Sequence, residues 1–170
     1  MLRRAVLVAL PALALAACGT MNAGPSYLPP PPQAPPPPPP PPGAIQGHGA
    51  FRLPDGRATC AGFSVALMPD LPRYRSRIQA LYGSTGRVME PVSEVKARSA
   101  KLPASPDTAP IASASCDARG EFAFPSVVSD RYFLIMHVKV RPAQIGHDDY
   151  VLLQPVAVSP GETTVVTLAP

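Results

Sequence analysis

The sequence predicts a mainly β protein: one antiparallel β-sandwich over residues 44–170, with one short amphipathic helix inserted and a proline-rich linker in front. Three observations carry this. Apolar residues recur with period two on both sides of the insertion, the spacing of half-buried strands. Turn chemistry built on Pro, Asp and Gly separates those runs. About 125 residues follow the linker, a length that suits one domain.

The elements follow in chain order. Phe51 and Leu53 alternate with Arg52, and Leu53-Pro54-Asp55-Gly56 then supplies a turn, with Pro at its second position and Gly at its fourth. Phe63, Val65 and Leu67 point one way while Ser64 and Ala66 point the other. In the longest run Tyr132, Leu134, Met136, Val138 and Val140 alternate with Phe133, Ile135, His137 and Lys139, which predicts a long strand with one face wholly in the core. Val156 and Val158 repeat the signal, and Ser159-Pro160-Gly161-Glu162 turns the chain into a β-branched final strand over 163–168.

One segment, residues 69–110, departs from period two. Tyr74, Ile78, Leu81 and Tyr82 share one face of a helix, with Asp70 placed to cap it, Pro72 in its first turn and Gly83 available to end it. Arg73, Arg75 and Arg77 lie off that face. Residues 73–101 carry seven Lys or Arg against Glu90 and Glu94, a net of +5, so the positive charge is local to the insertion. Residues 97–115, rich in Ala, Ser and Pro, read as a loop. Arg73, Arg75 and Arg77 with Tyr74 and Tyr82 are the candidate partner-binding residues: a basic platform for an acidic protein loop, lipid headgroups or cell-wall carboxylates. The alternative is a helix that covers an open end or edge of the sandwich and keeps its charges in water.

The N-terminus decides where the domain lives. Arg3 and Arg4 precede an apolar run over 5–17, and Leu15-Ala16-Ala17 leads straight into Cys18. This layout resembles the bacterial lipobox. The resemblance implies that residues 1–17 are a signal peptide cut before Cys18, whose thiol and new amino group carry acyl chains. Gly19 stands where that family places the Asp that retains a protein at the inner membrane, which implies the periplasmic face of an outer membrane. The run is short of the roughly 20 apolar residues of a membrane-crossing helix, although an uncleaved anchor is the alternative. With Cys18 acylated, Cys60 and Cys116 are left to form a disulfide in an oxidising compartment, or else to sit as two buried thiols. Residues 19–43 hold half of the 26 prolines and predict an extended polyproline stalk. At about 3.1 Å per residue it reaches roughly 75 Å from the lipid. The whole sequence has a formal charge of +4, which falls to +2 without Arg3 and Arg4, and no basic run carries interleaved aromatics, so nucleic acid is not an expected partner.

Asp117-Ala118-Arg119-Gly120-Glu121-Phe122-Ala123-Phe124, followed by Val127 and Tyr132 and then by the alternating run 133–140, resembles the carboxypeptidase regulatory-like domain. That family is transthyretin-like, or prealbumin-like, within the immunoglobulin-like sandwiches. Val128 and Asp130 stand where it usually has proline and glycine, and Asp tolerates a left-handed corner better than most residues. Residues 156–163 resemble the family's last hairpin, and 47–67 its opening. The resemblance implies a fold and no catalytic residue.

The chemical inventory argues against an enzyme and against a bound cofactor or metal. None of the three histidines starts a His-x-x-Glu, His-Glu-x-x-His or His-x-x-x-His pattern. Side chains of His147-Asp148-Asp149 alternate on an extended segment and do not converge on an ion without a tight loop. Gly62-Phe63-Ser64-Val65-Ala66 lacks the second glycine of a nucleophile elbow. The expected function is that of a non-catalytic envelope lipoprotein, anchored by lipid, that presents a sandwich to an envelope protein or a cell-wall component. The alternative is an accessory module for a peptide or carbohydrate.

Overall fold

The computed structural model describes residues 35–54, 56–105, 109–141 and 149–170. Cys18 and the signal segment, most of the linker, Asp55, His147 and Asp148 lie outside the described residues. The chain divides into two units, 1–37 and 38–170, and the described strands and helices all belong to the second.

The elements run β1 (Gly43–His48), β2 (Ala50–Leu53), β3 (Gly56–Thr59), β4 (Ser64–Pro69), α1 (Pro72–Tyr82), β5 (Val88–Pro91) and α2 (Val92–Ser99). Then come β6 (Ala112–Ser115), β7 (Glu121–Val127), β8 (Arg131–Arg141), β9 (Tyr150–Ala157) and β10 (Thr163–Thr167). They form two sheets, one ordered β10-β1-β7 and the other built around β8. β8 pairs with β9 along most of its length, with β4 over Tyr132–Met136 and with β3 over Lys139–Arg141. The fold is the mainly β sandwich that the alternation predicts.

The predicted alternation of β8 is real, and both of its faces are put to use. Tyr132, Leu134, Met136, Val138 and Val140 point into the sandwich core, where Ile45, Phe122, Phe124, Val166 and Leu168 of the other sheet meet them. Phe133 and Ile135 point the other way, into a second cluster with Met68, Leu153 and α1 residues Tyr74, Ile78 and Tyr82. The helix is therefore a third layer. Fully burying one such aliphatic or aromatic side chain is worth about 1.5–3 kcal/mol, which a lone 11-residue helix with no acidic residue in its first turn needs in order to persist.

Two local devices fix the corners on either side of β7. Asp117 Oδ1 accepts the N–H groups of Arg119 and Glu121, both at 2.8 Å, while Gly120 takes the left-handed conformation (φ 84°). Those N–H groups, the one of Glu121 first, hold the Asp117 carboxyl below its usual range. Further on, the Tyr132 hydroxyl donates to the Val128 carbonyl at 2.7 Å, the tyrosine-corner bond of Greek-key sandwiches.

Four features differ from the sequence reading. Not every pair is antiparallel: β10 runs parallel to β1 and does not form a hairpin with β9. β9 has β8 on one side and β5 beside Tyr150–Leu153 on the other, and residues 159–162 carry the chain across to the other sheet, where Val166 and Leu168 complete the core. The insertion holds two helices and a strand rather than one helix and a long loop. β5 pairs with β9, and α2 starts straight after Pro91, with Glu94 in its first turn and Lys96 and Arg98 in its last. The expected loop over 97–115 thus begins inside α2 and ends in β6. Phe63 does not share the Val65 face, because Cys60-Ala61-Gly62-Phe63 loops out between β3 and β4 with Gly62 at φ 80°, which reverses the side-chain parity. Asp70 does not cap α1: Leu71 holds that position in extended conformation without a side-chain bond.

Cys60 and Cys116 form a disulfide with Cα atoms 5.8 Å apart. The Cys116 N–H donates to the Phe63 carbonyl at 2.9 Å, so the bridge joins two backbones already in contact. Its loop encloses β4, both helices, β5 and β6, and so clamps the whole insertion at its base.

Candidate functional site

The five residues singled out as a partner surface fall into three environments. Tyr74 and Tyr82 are each 7 % exposed and belong to the cluster beneath α1, where burial pushes the Tyr82 hydroxyl above its ordinary pKa. Their rings face the sheet. Arg75 donates through Nε and Nη2 to Asp70, the Nη2 bond being 2.6 Å, and Arg131 Nε lies 3.5 Å from the same carboxylate. That bond and that charge raise Arg75 further above its ordinary value. Arg77 Nη1 donates to the Pro103 carbonyl at 3.0 Å and so ties the far loop to α1. Arg73 lies with its guanidinium 5.0 Å from the centroid of the Tyr74 ring and is exposed.

Sequence reading missed how much of the basic charge is spent internally. Arg98 of α2 bonds Glu90 at 2.8 Å through Nη2 and donates through Nη1 to the Leu81 carbonyl at 3.0 Å, one of the unpaired carbonyls at the end of α1. Glu94 and Arg98, four apart after Pro91, were the signal for that second helix. With Arg75 and Arg98 in ion pairs and Arg77 bonded to a carbonyl, Arg73, Arg87, Lys96 and Lys101 are the cations of the insertion with neither an ion pair nor a side-chain hydrogen bond among the described residues.

One concavity lies beside these groups and a second lies far from them. A cleft of about 290 Å³ between α1 and β4 is lined by Met68, Tyr74, Arg77, Ile78, Tyr82 and Ile135, an apolar floor with one cation. On the opposite side of the molecule's sandwich, an open hollow of about 590 Å³ covers the outer face of the three-stranded sheet, bordered by Gln46, His48, Glu121, Val165 and Thr167. Its one aromatic residue, Phe122, is buried, and its ring lies where any side chain on Gly47 would stand: a Cβ there would overlap Phe122 Cζ.

His137 packs edge-on against Phe63 at 4.7 Å, with the Lys139 ammonium 5.5 Å from the same ring. Burial lowers its pKa, Asp149 works against that, and Lys96 and Lys139 reinforce it. No group of three His, Cys, Asp or Glu side chains able to hold a metal occurs among the described residues. No helix there is long and apolar enough to cross a membrane.

No family model matches the chain, and no curated protein matches it. Among solved structures it is similar to a proposed carbohydrate-binding protein from Pseudomonas aeruginosa. The identity is 20 %, the TM-score is 0.51, and the alignment covers 77 % of this chain and 90 % of that one. A fainter likeness, with 15 % identity and a TM-score of 0.37 over 75 % of this chain and 45 % of the other, is to the minor pilin GBS52 of Streptococcus agalactiae. The first likeness supports the sandwich fold, and at that identity it supports the fold alone.

Proposed function

We propose that the chain is a non-catalytic cell-envelope lipoprotein, anchored through Cys18, whose proline stalk presents the β-sandwich to another envelope component. The observation that supports this best is the Cys60–Cys116 disulfide, because such bridges persist in exported proteins and the sequence in front of the stalk has the layout of an export signal. The unengaged cations, Arg73 foremost, are the surface we assign to the partner, which would be an acidic protein segment or a cell-wall carboxylate. A photoreactive residue at position 73 in intact cells, with a control at the exposed Ala157, tests that surface. A discrete adduct from position 73 alone is expected, and equal diffuse adducts from both positions would remove the assignment.

A second reading, an accessory carbohydrate- or peptide-binding module, is favoured by the description of the Pseudomonas aeruginosa protein that shares the fold. It predicts saturable binding of a glycan or peptide by the full chain. Uniform absence of binding across a broad panel of both would rule it out.

A further inference from the structure

Five described strands are sheet edges, β2, β5, β6, β7 and β10, and β9 is open beyond β5 over 154–157, where Pro155 interrupts it. An exposed edge is a template for pairing with another chain, and soluble domains blunt such edges with charge, proline, shortness or cover. Four of the five are blunted. β2 is four residues long and carries exposed Arg52; β5 carries Glu90, ends at Pro91 and runs into α2; β6 is four residues long and lies against β7; β7 has Pro125 within it.

β10 has none of these. Its five residues, Thr163-Thr164-Val165-Val166-Thr167, are all β-branched and uncharged, and Val165 is 76 % exposed. The Ala44 N–H donates to the Glu162 carbonyl and the Leu168 N–H to the His48 carbonyl, both at 2.8 Å, so even-numbered residues face β1. Thr163, Val165 and Thr167 therefore aim their N–H and C=O groups away from the sheet.

We propose that β10 pairs with β10 of a second copy of this chain, antiparallel about a two-fold axis through Val165. The segment is self-complementary about that residue. Thr163 would face Thr167 of the second copy, Thr164 would face Val166, and the two exposed Val165 side chains would cover one another. Every outward backbone group would then find a partner. Glu162 would face Leu168, so no like charges meet. The product is one six-stranded sheet, ordered β7-β1-β10 and then the same strands in reverse, with both open hollows on a single surface. A strand pair this short buries less than a stable interface needs, so the dimer is concentration-dependent.

The test uses the full chain, purified in detergent and carrying Cys18→Ser so that an introduced cysteine is the one unpaired thiol. Residues directly opposite with outward backbone groups have Cα atoms about 5.5 Å apart, inside the range a disulfide spans. Val165→Cys should give a covalent dimer under mild oxidation, while Val128→Cys, equally apolar and 73 % exposed, should not. The Cys18→Ser chain should double its sedimenting mass as concentration rises, and Val165→Lys, which sets two ammonium groups on the axis, should stay monomeric. Equal cross-linking at 165 and 128, a chain that stays monomeric, or a Val165→Lys chain that still dimerises would each overturn the proposal. The measurement depends on neither export nor lipidation, so it stands apart from the function proposed above.

Discussion

Opening the Cys60–Cys116 bridge should destabilise the sandwich by about 4 kcal/mol. The two cysteines are 56 residues apart, and in the loop-entropy model a closed loop of that length lowers the stability of the unfolded chain by about that amount. The folded state loses little, since both residues are buried, free thiols behave there as small hydrophobes, and the Cys116–Phe63 hydrogen bond remains. For a domain of this size 4 kcal/mol corresponds to a fall in Tm of about 15 °C. Thermal unfolding followed by circular dichroism, with and without a thiol reductant, measures it; Cys60→Ala/Cys116→Ala serves as a reductant-insensitive control. The insertion is the part enclosed, so protease cleavage within 100–111 should rise on reduction before cleavage elsewhere. A Tm unchanged by reductant, with both thiols shown to be reduced, would mean that the bridge contributes nothing to stability.

Three further predictions rest on other parts of the structure. Gly47→Ala places a methyl on the buried Phe122 ring and should cost about 1–3 kcal/mol by overpacking, with partial rescue by Phe122→Leu; denaturant midpoints of the three variants decide it. Asp70→Ala leaves Arg75 and Arg131 without their shared carboxylate. Because both guanidinium groups are well exposed, the loss should be small and should shrink further at high salt, which denaturant midpoints at low and high ionic strength measure. His137 has a folded pKa below its ordinary 6.5, so the unfolded chain binds its proton first. The stability it confers is complete above pH 6.5 and declines as pH falls below that value toward the folded pKa. The Tm should therefore drop from about pH 7.5 to about pH 5.5 in the natural chain and drop less in His137→Phe; parallel curves would count against it.

Much of the fold was legible because β8 is long and strictly alternating, and because the turns at 53–56, 117–120 and 159–162 announce themselves in Pro, Asp and Gly. Long-range relations stayed hidden. Nothing local in Thr163-Thr164-Val165-Val166-Thr167 says that the strand must cross to β1 rather than return along β9. The second helix was short and carried few apolar residues, so composition read as a loop. Its Glu94–Arg98 spacing was a weak signal, outweighed by the prolines that come after it. At the candidate surface, helical periodicity placed Tyr74, Ile78 and Tyr82 on one face correctly, but it was silent on what that face would meet. The partners of Arg75, Arg77 and Arg98 come from the ends of β4 and α1, from β5 and from the 103 loop, and sequence spacing carries no record of them.

The measurement that bears most directly on the proposed function compares the natural chain with Cys18→Ala in cells fed a fatty-acid analogue, followed by separation of inner membrane, outer membrane and soluble fractions. A labelled natural chain in the outer-membrane fraction and an unlabelled variant that leaves it are expected. A Cys18→Ala chain that remains labelled and membrane-bound would contradict the proposed function.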